Sequence, residues 1–590
     1  MDAKEQRRLS GQFVAPSFAQ TTPLRMAAQN IWEFLVPAAT TLLVFLVAFY
    51  IAAHNQHPLL RIKPSPSAME IRSYVPLLVG VVAVLAIHRP LLGLAAVLAL
   101  TPVWNSAMVS FQFEALQIIL QTVFAVALVA GCAVEAHRRR SLSVLQRRPL
   151  AYPLWDDDPA PGRPFRTSAA PRRLFSGLEA STFAELAAVA FVGFAIASTY
   201  ASLNPGNSVN GLLHGIVEPA VFGAVLVYLR PSPRDLMLIA GALAISIALA
   251  SGMDLLQNLW AWGTNFNGII SHRLDFTQVT YNNVGLFGVI IAAVLPMLAS
   301  VVLLRREARV PDWAIGVLAL AAALSLAGLF FTVSKSAWLA SAGALTILLL
   351  LVMHTWWKRL TMSLAVIALS AVFIPWPALV FQAVPGVDTA YRKAIVAMVG
   401  ESRFDSWNPT TAAGHGSMAE RYYAVEGGID MAIDHPVFGV GLDEFHTYYM
   451  TLGYRPAQAK DDLDHAHSVF PEVAAELGFP ALAMLLTLLA AALLAMWRVY
   501  RAAHDNVSRT MAAMLIASII AWVVAGTAYG ADIYRSMRDQ ASDIVVLAIV
   551  LAMAVALARW ARGVPGVPGM EALVRERTAR RYLGRRHPNE

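Results

Sequence analysis

Apolar runs of about 18 to 25 residues recur along almost the whole chain. A run that long reaches across the ~30 Å hydrocarbon core of a bilayer when it coils at about 1.5 Å per residue. A backbone in lipid must satisfy its own hydrogen bonds, which leaves only helices and closed barrels. A barrel reads as alternating segments of about 10 residues, and these runs do not alternate. The pattern predicts an all-α polytopic integral membrane protein. Composition agrees, with 57% hydrophobic and 14% charged residues and a mean hydropathy of +0.56, where soluble domains carry about 25% charged residues.

Helices are expected near 31–53, 74–87, 90–104, 114–134, 181–200, 212–229, 235–252, 284–304, 313–333, 337–355, 360–380, 467–497, 510–528 and 544–560. That makes fourteen, with both termini on one side. The second and third are separated at His88-Arg89-Pro90, because one helix from 74 to 104 would span ~46 Å. With a cytoplasmic N-terminus, 32 of the 45 Lys and Arg residues fall on the cytoplasmic side, as the positive-inside rule requires. No small-residue cleavage site follows the first run, which is therefore read as a retained helix.

The chain then divides into a cytoplasmic N-terminal segment (1–30), N-terminal membrane helices (31–134), a basic cytoplasmic linker (135–180) and central membrane helices (181–380). A large periplasmic loop (381–466), C-terminal membrane helices (467–560) and a basic cytoplasmic tail (561–590) follow. The net charge of +7 is accounted for by this topology and by anionic lipid headgroups, so no nucleic-acid partner is expected. The single cysteine, Cys132, can form no disulfide within the chain.

The polar chemistry gathers between Ser417 and Gly478. Residues 381–466 are expected to fold as helices on the outer membrane surface. Val387, Tyr391, Ile395 and Met398 recur at helical spacing, and Ser417 with Glu420 spells a capping box that would begin a second helix. That start puts Arg421 in the first turn, and Asp434-His435-Pro436 would end the helix.

Four pieces of the chain, together covering about residues 270 to 480, resemble the bacterial O-antigen ligase and polymerase family. They are Arg273 with Tyr281-Asn282-Asn283-Val284-Gly285, the turn Ser334-Lys335-Ser336-Ala337, Arg421 with the run from Asp434 to Leu442, and His465-Ala466-His467-Ser468 leading to Glu476-Leu477-Gly478. Two positions depart from the family's usual pattern: Ser468 replaces an Asn, and Lys335 replaces an Arg, which keeps the charge but loses the bidentate fork. The resemblance implies a metal-independent, cofactor-free membrane glycosyltransferase. Its donor would be an undecaprenyl-diphosphate-linked glycan and its acceptor a lipid or glycan hydroxyl, at the periplasmic face of the inner membrane. Ligation to lipopolysaccharide and polymerisation of a polysaccharide or exopolysaccharide both stay open.

Such chemistry needs cations to hold the departing diphosphate and a base for the acceptor proton. Arg421 and Arg273 are the diphosphate candidates, since guanidinium pairs bidentately with phosphate. Pairing with a loop carboxylate such as Asp275 or Asp405 is the alternative. His467 is the candidate base, because imidazole titrates near neutrality. His465, Ser468, Glu476 and Lys335 are supporting candidates, with Glu476 expected to make a helix-packing hydrogen bond. Asp461, Asp462 and Asp464 beside the histidines match no closed metal motif, so no metal site is expected. Glu218 and His214, in the sixth helix, either line a cavity or brace two helices. Trp260 and Trp407 are interfacial anchors or sugar platforms. The rival from another class is a transporter of a small anion such as bicarbonate.

Overall fold

The structure, a computed structural model, describes residues 79–101, 122–137, 180–262, 284–304, 312–332, 334–353, 355–373, 412–457, 465–503, 505–529 and 542–562, with isolated residues 307, 459 and 463. The expected first helix at 31–53, the linker beyond His137, Arg273, the helical spacing at 387–398, the aspartates at 461, 462 and 464, and the basic tail lie outside the described residues.

Among the described residues every regular element is helical. Two short helices, α1 (Val79–His88) and α2 (Pro90–Ala99), are parted at Arg89 as the proline requires, and α3 follows at Thr122–His137. Next come α4 (Ala180–Ala201), α5 (Pro205–Gly211), a π segment (Leu212–Val217), α6 (Glu218–Leu229) and α7 (Pro233–Trp262). The inner helices are α8 (Val284–Leu303), α9 (Asp312–Thr332), α10 (Lys335–Val352) and α11 (Trp356–Phe373). After these stand α12 (Ala412–Asp434), the short α13 (Phe445–Thr451), α14 (Val469–Ala502), α15 (Asn506–Tyr529) and α16 (Ser542–Ala561). Five of them, α4, α7, α14, α15 and α16, are long and apolar enough to cross a membrane. The described residues are all-helical and have the apolar spans of a membrane protein.

Helices α8, α10 and α15 pack on one another at the centre, and α14 lies along α4. The spanning windows of α15 and α16 are mostly buried, whereas α4 and α14 bury less than half of theirs and form the periphery. Side-chain ties fix relative direction. Tyr500 near the end of α14 donates to the Leu351 carbonyl near the end of α10 at 2.8 Å, so these two helices run the same way. Arg559 at the end of α16 pairs with Glu185 at the start of α4, which sets those two antiparallel. Ser198 near the end of α4 also donates to the Glu476 carbonyl near the start of α14, so the starts of α10 and α14 and the end of α4 lie at one end of the bundle. In the sixth expected helix, Thr122 of α3 donates to Glu218 at 2.9 Å; of the two roles open to Glu218, this contact is the brace between helices.

Two expectations are corrected here. The segment 467–497 is no continuous helix: α14 starts at Val469 and breaks at Gly478, whose φ of 85° and ψ of 168° are not helical. The capping box does not begin a helix either, because Ser417 lies inside α12, which starts at Ala412. The physical reason is that Glu420, Ala424, Gly427, Gly428 and Met431 are all buried, forming a stripe at spacings of three and four. Glu420 faces that core, so it does not reach back to a cap. Arg421 consequently sits in the third turn of α12 and not at its anion-favouring N-terminus.

Candidate active site at the broken helix

The break in α14 is written in Glu476-Leu477-Gly478-Phe479-Pro480. In an unbroken helix the Glu476 carbonyl would accept from residue 480, and proline has no N–H to give. The freed carbonyls are taken by the turn after α12. Val440 N donates to the Ala475 carbonyl at 2.8 Å and Gly441 N to the Glu476 carbonyl at 3.1 Å, while Phe479 N donates to Pro436 at 2.9 Å. Ser198 of α4 adds a third element by donating to the Glu476 carbonyl at 2.7 Å. The approach is close enough to demand glycine at two positions. A Cβ on Gly439 would stand 2.2 Å from the Glu476 carbonyl carbon, and one on Gly478 would stand 2.4 Å from the Val437 oxygen. Both have positive φ, a region costly to other residues.

The Glu476 side chain completes the joint. It is buried, and one carboxylate oxygen accepts from Phe445 N, the first residue of α13, at 3.1 Å. The expected helix-packing bond is thus a loop anchor: the carboxylate caps a helix end instead of bridging two spanning helices. Beside it, Asp443 adopts a left-handed conformation (φ 61°), and Glu444 is fully buried. Burial pushes the Glu444 carboxyl above its ordinary range, opposed by the side chains of Thr447 and Asn207. Ser208 Oγ stands 2.8 Å from both the Leu442 carbonyl and Ser202 Oγ, so the start of α5 also grips this turn.

Above the joint lies a small second core of Met431, Val440, Phe445, Tyr448, Tyr449, Ala466 and Ala475. Phe445 and Tyr449 stack at 5.5 Å. At its edge Tyr454 donates to Asp434 at 2.9 Å; burial and this carboxylate push the phenol up to about 12.

The histidine loop is seated on this core. Ala466 is fully buried between the two histidines, and a Cβ added to Gly428 of α12 would already stand 3.3 Å from the Ala466 Cβ. His465 is buried and His467 half-buried, with ring centroids 4.1 Å apart at 59°. His467 has a φ of 52°, a left-handed conformation that costs an L-residue about 1–2 kcal/mol. Ser468 is the N-cap residue of α14, where its side chain makes no capping hydrogen bond; its carbonyl accepts from Glu472 N at 3.2 Å.

Arg421, half-buried, precedes Gly428 by seven residues. Seven residues turn an ideal helix by nearly two full turns, so Arg421 shares the face that meets the histidine loop, about 10 Å along the axis. Lys335 is the first residue of α10, capped by Ser334, whose Oγ accepts from Ala337 N at 3.4 Å. It belongs to the same end of the bundle. The structure thus brings His465, His467 and Ser468 together beside the joint anchored by Glu476, sets Arg421 about 10 Å along α12 from the Gly428 contact, and puts Lys335 at the same end. Sequence reasoning missed Ser198, Ser202 and Ser208. Their signal was the polar run around Ser198-Thr199 and Ser202 to Ser208 at the end of an apolar helix. Among the described residues, no group of three or more His, Cys, Asp or Glu is arranged to hold a metal ion.

Fold and site together define a polytopic membrane protein that carries a folded polar layer, with paired histidines and an arginine, over one end of its bundle. Residues 320–486 match the family model described as O-antigen ligase. The match runs from α9 through the break in α14, so it contains the histidine loop, Arg421 and the docked turn, and over this part the chain is similar to the O-antigen ligase family. A comparison with curated proteins gives no match.

Proposed function

We propose that this chain is an inverting glycosyltransferase of the bacterial inner membrane, moving a glycan from undecaprenyl diphosphate to a sugar hydroxyl at the periplasmic face. In this reading the acceptor oxygen bonds to the anomeric carbon as its proton passes to the His467 imidazole. The bond from that carbon to the diphosphate breaks, and the diphosphate leaves with the electron pair, held by Arg421 and Arg273. Lys335, at the start of α10, adds positive charge at the same end. His465 backs His467, and Ser468, whose side chain is not used as a cap, offers a hydroxyl to the acceptor. Glu476 keeps the layer seated.

The observation that carries the reading is the histidine pair, 4.1 Å apart and held in a left-handed turn by a dedicated core. Left-handed backbone at non-glycine residues is the kind of local strain that gathers at functional sites. The supporting topology has fourteen spanning helices, both termini cytoplasmic and residues 381–466 periplasmic. The ties that put the start of α14 opposite Arg509 and Arg559 fit that orientation, because the basic residues then lie inside. Ligase and polymerase differ in acceptor, and both fit this site.

A broken membrane helix with a buried carboxylate also motivates the transporter reading, since transporters bind ions at such breaks. Here the freed carbonyls of Ala475 and Glu476 already accept from Val440, Gly441 and Ser198, which favours a structural joint over an ion site. The test uses protein in liposomes with purified lipid-linked donor. His467→Ala should abolish transfer while donor binding persists, and His465→Ala should do less. Retained turnover in His467→Ala would remove the proposed base, and anion flux without transfer would establish the transporter.

A further inference from the structure

Helix α12 has three distinct sides. Glu420, Ala424, Gly427, Gly428 and Met431 are buried against the second core and α14. Glu426, Asp430 and Asp434 follow one another at four-residue spacing and are exposed, as acidic groups in water should be. The remaining side carries Tyr422, Ile429 and Ile433, which fall within about 40° of one another on the helix and are 65%, 45% and 61% exposed. Large apolar groups do not line up on a water-facing side without cause.

The strip also leads somewhere. Val437 and Phe438, directly after the helix, are exposed, and their turn is tied to the top of α14 by the bond from Phe479 N to Pro436. From Phe479 downward, Leu486, Leu494 and Trp497 are exposed on one side of α14, spaced seven, fifteen and eighteen residues from it. That is the lipid-facing stripe of a spanning helix. The apolar strip of α12 is therefore continuous with a surface that meets acyl chains.

We propose that α12 lies in the membrane interface, with Tyr422, Ile429, Ile433, Val437 and Phe438 immersed in the lipid and Glu426, Asp430 and Asp434 turned to water. The partner is the bilayer itself. A helix with one apolar and one charged exposed side rests at the headgroup boundary in this way. Arg421 occupies the flank between the buried and the immersed sides, which fixes its guanidinium at headgroup depth. If the glycosyl-transfer reading holds, that is the depth of a lipid diphosphate; the immersion itself does not depend on that reading.

Site-directed spin labelling of the full chain tests it. In a Cys132→Ala background, single cysteines at Glu426, Ile429, Asp430 and Ile433 are labelled with a nitroxide and the protein is reconstituted in phosphatidylethanolamine–phosphatidylglycerol liposomes. Labels at 429 and 433 should relax with oxygen and be shielded from a water-soluble nickel chelate several-fold relative to 426 and 430, where the order should reverse. Phe438→Cys reads the same strip should Ile433→Cys disturb the helix. Equal nickel access at all four sites would mean that the strip faces water. Shielding of 429 and 433 from both reagents would mean that protein covers it. Either outcome overturns the proposal, and neither bears on turnover.

Discussion

Replacing Gly439 with alanine should detach the polar layer from the bundle. The new Cβ would stand 2.2 Å and 2.4 Å from the carbonyl carbon and oxygen of Glu476 and 2.5 Å from the Ala475 oxygen. All three are helix backbone and cannot swing aside as a side-chain tip would. The turn must lift, losing the bonds from Val440 N and Gly441 N; a buried polar group left without its partner costs about 1–3 kcal/mol. Left-handed backbone adds about 1–2 kcal/mol for alanine, so with two such bonds lost the joint weakens by roughly 3 to 8 kcal/mol. Helices α4 and α14 remain packed along each other beyond the joint, so membrane abundance should hold. Gly453 supplies the control: its φ is +90°, but a Cβ there meets nothing within 4 Å, so Gly453→Ala carries backbone strain alone. Limited proteolysis on the periplasmic side, read with transfer activity, should show rapid cleavage within 412–468 and lost activity for Gly439→Ala only. Equal behaviour of the two variants would refute the docking argument.

Arg421→Lys keeps the charge but loses the bidentate fork, and should lower transfer by at least tenfold at normal abundance; full activity in Arg421→Ala would remove the diphosphate role. Because the folded-state pKa of Glu444 is raised by burial, its ionisation opposes folding as pH rises above the ordinary carboxylate range. Glu444→Gln should therefore melt higher than the parent near pH 7, with the gap closing toward pH 4; a larger loss at pH 7 than at pH 4 would contradict this. Transfer should survive EDTA, and EDTA inhibition reversed by added divalent metal would bring the aspartates at 461, 462 and 464 back as ligands. Cysteines at Ser417 and Asp461 should react with an impermeant thiol reagent from the periplasm and one at Ser168 should not; the opposite pattern would invert the topology.

The sequence alone was sufficient for the helical membrane class, because length and apolarity are properties of a single segment. The breaks at Arg89-Pro90 and after Asp434 were legible for the same reason: a missing N–H and a fixed φ act locally. The family motif singled out Arg421, the histidines and Glu476, and all of them lie within the matched residues 320–486. Other features depended on partners distant in the chain. A Ser-x-x-Glu pattern fits both a helix start and a helix interior, and only the buried stripe facing Ala466 and α14 decided that Ser417 lies inside α12. The glycine and proline at 478 and 480 mark a possible break, but it forms because Val440, Gly441 and Ser198 are there to take the freed carbonyls. Nothing within Glu476 and its neighbours in sequence points to Phe445 N, since the contact spans 31 residues and exists only once the turn at 435–441 has docked. Local rules gave each helix; which carbonyls stay unsatisfied, and what reaches them, was decided by the packing of α4, α12 and α14 around one joint.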